Sequence, residues 1–118
     1  MNKSNQKVYL NLKTIYSMEE KVFTYGTLQK PEVQMKIIGR IINSNPDILK
    51  GFRKSTIEVN KNRYPIIIED GNSNEEIDGK ILVVNTEELI KLDKYETKAY
   101  QRKKVILKSG ISAWAYQK

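Results

Sequence analysis

An acid on the apolar stripe of a helix is the first residue in this chain whose spacing suggests chemistry. Projected at about 100° per residue, Leu89, Leu92 and Glu96 fall within about 60° of one another, with Glu96 between the two leucines. A carboxylate in that position must be paired, protonated or turned into a cavity, because burying an isolated charge is costly. Desolvation raises its pKa, and a Glu raised toward neutrality can both accept and return a proton. The same residues are compatible with a helix that ends at Lys94, leaving Glu96 on an exposed corner or paired with a base such as Arg102. The second element is Tyr25-Gly26-Thr27-Leu28, where a glycine lets backbone amides turn toward a carboxylate or a developing oxyanion without a Cβ in the way. Alone, that tetrapeptide is equally the ending of an ordinary strand. Tyr64-Pro65, Tyr95, Tyr100, Trp114 and Tyr116 add aromatic groups for a pocket wall or for plain sheet packing.

Absences narrow the chemistry further. The 118 residues contain no Cys and no His, which removes disulfides, thiolate nucleophiles, Ser-His-Asp triads and the usual zinc sites. Glu75, Glu76 and Asp78 have no recognisable metal-ligand spacing, so no metal and no cofactor is expected. The net charge of +7 invites a nucleic-acid reading, but the basic residues are scattered, with short groups only at Lys50, Arg53, Lys54 and at Arg102, Lys103, Lys104. A solvated basic surface accounts for them, and no nucleic-acid partner is expected. No apolar run approaches the roughly 20 residues that span a bilayer, and no apolar block follows the first lysines as in a secretory signal. The expectation is a cytoplasmic protein with no membrane partner; nothing in the sequence sets an oligomeric state.

The elements that must position Glu96 and the glycine loop follow from periodicity. Residues 1–20 are polar with a weak alternation at Val8, Leu10 and Leu12, and read as an N-terminal extension ahead of one domain over 21–118. Val22-Phe23-Thr24-Tyr25 is β-branched and aromatic and ends at Gly26, and Pro31 opens a short helix through Ile38. Strands are predicted over 40–44, 51–59 and 64–69, then over 77–84 with Gly79 marking a bulge or a close backbone approach. A helix over 86–95, capped by Asn85 or Thr86, carries Glu87 and Glu88 in its first turn. Strands over 100–108 and 111–117 close the chain through a tight turn at Ser109-Gly110. Many short strands with two helices predict an α+β domain, mixed and mainly antiparallel, curled into a sheet or small β-barrel that hides its edges, with peripheral helices.

With these residues in place, the chain resembles the gamma-glutamyl cyclotransferase-like family, in the branch related to plant avirulence-induced-gene proteins. The resemblance rests on VFTYGTLQKPEVQMKIIGR at 22–40, NRYPIII at 62–68, LIKLDKYETKAYQRKKV at 89–105 and SAWAYQ at 112–117. It covers roughly residues 21–118. It implies a small barrel with peripheral helices, a substrate-binding loop matching Tyr25, Gly26, Thr27 and Leu28, and a catalytic glutamate matching Glu96. Tyr64, Tyr100 and Arg102 would join the substrate site as pocket wall or supporting structure. Thr97 departs from the pattern, since glycine commonly follows this glutamate in the family. The implied reaction closes a gamma-glutamyl group to 5-oxoproline and expels an amine or amino acid, without a cofactor. A non-catalytic binding module on the same fold is the alternative, and a basic nucleic-acid-binding β-barrel a more distant one.

Overall fold

The computed structural model describes residues 18–96 and 99–118. The extension over 1–17 and the departure at Thr97 lie outside the described residues.

Strand β1 (Glu19–Thr24) starts two residues before the expected domain boundary and ends where the glycine loop begins. A single 3₁₀ turn over Thr27–Gln29 leads into helix α1 (Pro31–Ile38), with its proline in the first turn. Strands β2 (Ser44–Leu49), β3 (Phe52–Val59), β4 (Asn62–Glu69) and β5 (Ile77–Asn85) follow, then helix α2 (Thr86–Glu96) and strands β6 (Gln101–Ile106) and β7 (Ser112–Gln117). The β3–β4 hairpin turns on Asn60 and Lys61, both at positive φ (51° and 67°), as a two-residue turn matched to strand twist demands.

One strand falls elsewhere than predicted. Residues 41–43 form no strand, and β2 runs instead through Asn45-Pro46-Asp47, a stretch whose composition reads as a turn. The reason is tertiary. Arg40 is drawn onto Glu88 and the Ile42 amide onto the Gln34 side chain, so this segment packs against the helices. Pro46 then sits opposite Lys80 in an edge strand, where a missing N–H costs no second ladder.

The ladders give a five-stranded sheet in the order β2-β5-β1-β7-β6 and a separate β3–β4 ribbon. Only β1 and β7 run parallel. The sheet curls enough for its two edges to meet at one end, through the Lys108 amide on the Ile48 carbonyl (2.8 Å) and the Ser109 hydroxyl on Asp47. No ladder joins β2 to β6 among the described residues, so the strands form a mixed α+β arrangement of curled sheet and ribbon rather than a ring closed by hydrogen bonds.

Alternation along β1 divides the core. Phe23 packs with Leu49, Phe52, Ile67, Ile77 and Ala115 between sheet and ribbon, while its neighbour Val22 packs with Leu28, Ile38, Leu82, Leu89 and Leu92 beneath the two helices. Gly79 lies where β1 crosses β5: a Cβ there would sit 2.6 Å from Phe23 Cζ and closer still to the Thr24 carbonyl. The close approach read from the sequence is therefore present.

Candidate functional site

Helix α2 is fixed at its start. The Asn85 side chain accepts from the Glu88 amide (2.8 Å) while the Glu88 carboxylate accepts from the Asn85 amide (3.0 Å), a reciprocal cap. Arg40 holds that carboxylate with two further bonds, at 2.7 and 2.8 Å, and its hydrogen bond is the main reason the Glu88 pKa is lowered. Leu89 and Leu92 are buried on the face toward the sheet, and Glu96 follows on the same side, partly buried. The helix runs through Glu96, so the alternative of a helix ending at Lys94 falls.

Glu96 lines a cavity of about 240 Å³ together with Tyr25, Gly26, Thr27, Leu28, Tyr64 and Tyr100, seven of the eight residues singled out from the sequence. The remaining described wall comes from Phe23, Thr24, Val59, Pro65, Tyr95, Ala99 and Tyr116, with no lysine or arginine among these described lining residues. Among the described residues Glu96 has no hydrogen-bond partner, and burial pushes its pKa up to about 7. Tyr25, Tyr100 and Tyr116 stay protonated throughout the neutral range: burial first, with the neighbouring Glu96 charge contributing, lifts Tyr100 to about 12 and raises Tyr25 and Tyr116 further.

Three of the phenols around Glu96 have their protons committed elsewhere. Tyr25 donates to the Tyr116 carbonyl (2.6 Å), Tyr100 to the Pro65 carbonyl (2.9 Å) and Tyr116 to Asp93 Oδ1 (2.7 Å). These bonds also tie the helix end, the ribbon and β7 into one wall.

The loop is held from behind. Buried Gln34 donates to the Leu28 carbonyl (2.8 Å) and accepts from the Ile42 amide (2.9 Å), and Thr27 Oγ1 shares a hydrogen bond with the Tyr95 hydroxyl (2.9 Å). Thr27 and Leu28 open the 3₁₀ turn, so their amides have no acceptor inside it. Gly26 has no left-handed backbone, its φ being −129°, and a Cβ there would make an ordinary contact with Pro65 Cγ at 3.6 Å, on the cavity wall. Gln34→Ala leaves a buried carbonyl and a buried amide unpaired and is expected to cost on the order of 2–3 kcal/mol, read as a lower urea midpoint at unchanged m-value. An unchanged midpoint would show that the loop does not depend on this bridge.

Arg102 is the exception among the sequence candidates. It stands behind the wall, with Nε 3.4 Å from Asp93 Oδ1 and its guanidinium carbon 4.3 Å from the centre of the Trp114 ring. It pairs with Tyr116 across β6 and β7, and its contacts with Asp93 and Trp114 hold it outside the described cavity lining. Asp93 gave no signal in the sequence, because one acid in a charged helix reads as surface. Tyr116 was visible only as one of several aromatics. The i, i+3 relation of Asp93 to Glu96 is the pattern that would have flagged Asp93; nothing local would have flagged Tyr116. No group of residues suited to a metal ion occurs among the described residues, nor a helix long and apolar enough to cross a membrane.

The α+β sheet thus carries a desolvated carboxylate and a glycine loop on the wall of one cavity. Residues 22–118 match the family described as gamma-glutamyl cyclotransferase, AIG2-like. The chain therefore belongs to that family. It is 36% identical over 86 residues to AIG2-like protein C of Arabidopsis thaliana, covering 71% of this chain and 47% of that protein, so it spans about half the length of this curated relative. The fold is shared with two Arabidopsis thaliana solution structures. At3g28950.1 has a TM-score of 0.70 and 24% identity over 85% of this chain and 62% of its own; At5g39720.1 has a TM-score of 0.69 and 27% identity over 84% and 68%.

Proposed function

We propose that this chain is a gamma-glutamyl cyclotransferase-type enzyme that closes a gamma-glutamyl group to 5-oxoproline and releases an amine or amino acid, with Glu96 as the single acid/base residue. The observation that carries this reading is one carboxyl group with a pKa near 7 in the same cavity as the Tyr25–Leu28 loop. Nucleophile and electrophile are parts of one molecule, so the task is to fold the substrate into reactive geometry and to manage protons. The α-ammonium gives a proton to the Glu96 carboxylate. The freed amine attacks the γ-carbonyl, forming the new C–N bond of the five-membered lactam, and the attacking nitrogen releases its surplus second proton to solvent. Glu96 then returns the proton to the leaving nitrogen as the original C–N bond breaks. No cofactor enters this balance.

Among the described lining residues there is no cation, and neutral donors are what they offer to the substrate carboxylate and the tetrahedral oxyanion. The amides of the glycine loop are of that kind, and one such donor typically contributes about 10²- to 10³-fold in rate. Tyr64, Tyr100 and Pro65 would line the acyl and leaving-group side. The volume lies just under the roughly 300–1,000 Å³ of ordinary ligand pockets, which suits a compact substrate. A panel of gamma-glutamyl dipeptides, gamma-glutamyl-ε-lysine and glutathione tests the reading by 5-oxoproline release. Thermal stabilisation by such a ligand without 5-oxoproline would instead identify a binding module.

Because Glu96 must be ionised to accept the proton, kcat/KM is expected to rise as pH increases through about 7. Tyr25, Tyr100 and Tyr116 remain protonated there and contribute no limb of their own. A carboxylate with an ordinary pKa would give a profile already flat above about pH 5.5, and that result would remove Glu96 as the base.

A further inference from the structure

Tyr116 differs from the other phenols around Glu96 in what receives its proton. Among the described residues, the titratable groups facing Glu96 are Tyr25 after β1, Tyr64 on β4, Tyr95 on α2 itself, Tyr100 ahead of β6 and Tyr116 on β7. Tyr25 and Tyr100 donate to backbone carbonyls, Tyr95 shares its bond with Thr27, and Tyr64 is exposed at the mouth. Tyr116 alone donates to an ionisable side chain, Asp93 Oδ1, at 2.7 Å. Asp93 and Glu96 lie one helical turn apart, and the Tyr116 phenol feels the charge of both. Behind it, Arg102 on β6 supplies Asp93 with a counter-charge at 3.4 Å.

A phenol has one proton to give. While Asp93 accepts it, the hydroxyl cannot donate to Glu96. We propose that Asp93 is a positioning residue: by taking the Tyr116 proton it keeps this hydroxyl from bonding to Glu96, and so withholds one donor from the Glu96 carboxyl. A donor to the carboxylate would favour its charged form. Glu96 would then ionise too readily to return a proton at neutral pH. Asp93 thereby sets the basicity of Glu96 through a tyrosine, without touching the substrate.

The significance of this device for turnover rests on the proposed reaction, but the device is testable without it. Carboxyl ¹³C NMR titration of the full chain, with the Glu96 signal assigned by its loss in Glu96→Gln, reads the Glu96 pKa directly. In Asp93→Ala the Tyr116 hydroxyl is free to turn, and the Glu96 pKa is expected to fall by about one unit or more. Adding Tyr116→Phe removes the donor and should restore the wild-type titration. Asp93→Asn keeps an acceptor oxygen for Tyr116 and should titrate close to wild type, guarding against an alanine variant that folds poorly. An unshifted Glu96 in Asp93→Ala overturns the proposal, as does an equal shift in Asp93→Asn, or a shift that persists in Asp93→Ala/Tyr116→Phe. If the titrations behave as expected and no gamma-glutamyl substrate turns over, the positioning role stands and the proposed reaction fails. If 5-oxoproline forms, the acid limb of kcat/KM should move to lower pH in Asp93→Ala and return in the double variant.

Discussion

Glu96→Gln is expected to lower 5-oxoproline release by about 10²-fold or more while leaving substrate binding largely intact, since the amide keeps the shape of the side chain but cannot carry the proton. The same substitution should stabilise the fold at neutral and higher pH, which separates loss of chemistry from loss of structure. Burial raises the folded-state pKa of Glu96 from 4.5 to about 7, so between those values the folded protein holds a proton that the unfolded chain has released. The stability tied to that proton is present below the unfolded value and is lost as pH rises through the folded one. Above about pH 7 the wild type therefore carries a desolvated charge that Gln does not. The melting temperature of the variant should exceed that of wild type there, with the gap closing toward about pH 4.5 and a ceiling of about 3 kcal/mol, less what partial exposure to solvent removes. Thermal melts at several pH values, run beside the turnover assay, check both halves. Unchanged turnover would take Glu96 out of the mechanism, and a variant less stable above pH 7 would show that the charge is compensated in the folded state.

Gly79→Ala is expected to be the most damaging single-methyl change in the chain. Its Cβ would meet the Thr24 carbonyl and stand 2.6 Å from the Phe23 ring, and one of those neighbours is backbone of the central strand. A flexible side chain could move aside; β1 cannot move without straining its pairing to both β5 and β7. Overpacking in a tight core costs about 1–3 kcal/mol and more where backbone must shift, so a loss of about 3 kcal/mol or more is expected in chemical denaturation. Thr24 lies on the cavity wall and leads directly into Tyr25, so whatever folded protein remains should also show a raised KM. Wild-type stability in Gly79→Ala would mean that β1 and β5 have room to separate, and would weaken the view that this crossing fixes the start of the loop.

Features that depend on near neighbours in the chain were legible beforehand. Leu89, Leu92 and Glu96 share a helix face by spacing alone, and the helix does present them on one side. Pro31, Asn85 and the Ser109-Gly110 pair ended or began elements where their backbone chemistry requires. Strand β2 was not legible, because its partner Ile77–Asn85 is distant in sequence and outweighs the turn preference of Asn45-Pro46-Asp47. Arg102 was placed near the substrate for want of Asp93 and Trp114, whose pull on it appears only when β6, β7 and α2 are assembled.

The sequence by itself determined which group could carry a proton: with no His and no Cys, a carboxylate on an apolar stripe was what remained, and residue type and helical period suffice for that. Only the tertiary structure decided that this carboxylate would be buried, which raises its pKa. The same folding sets the hydroxyls around it, whose acceptors at Tyr116, Pro65 and Asp93 lie 91, 35 and 23 residues from their donors. Hydrogen-bond partners so far apart in the chain leave no local period to read, because they meet only after the sheet has curled.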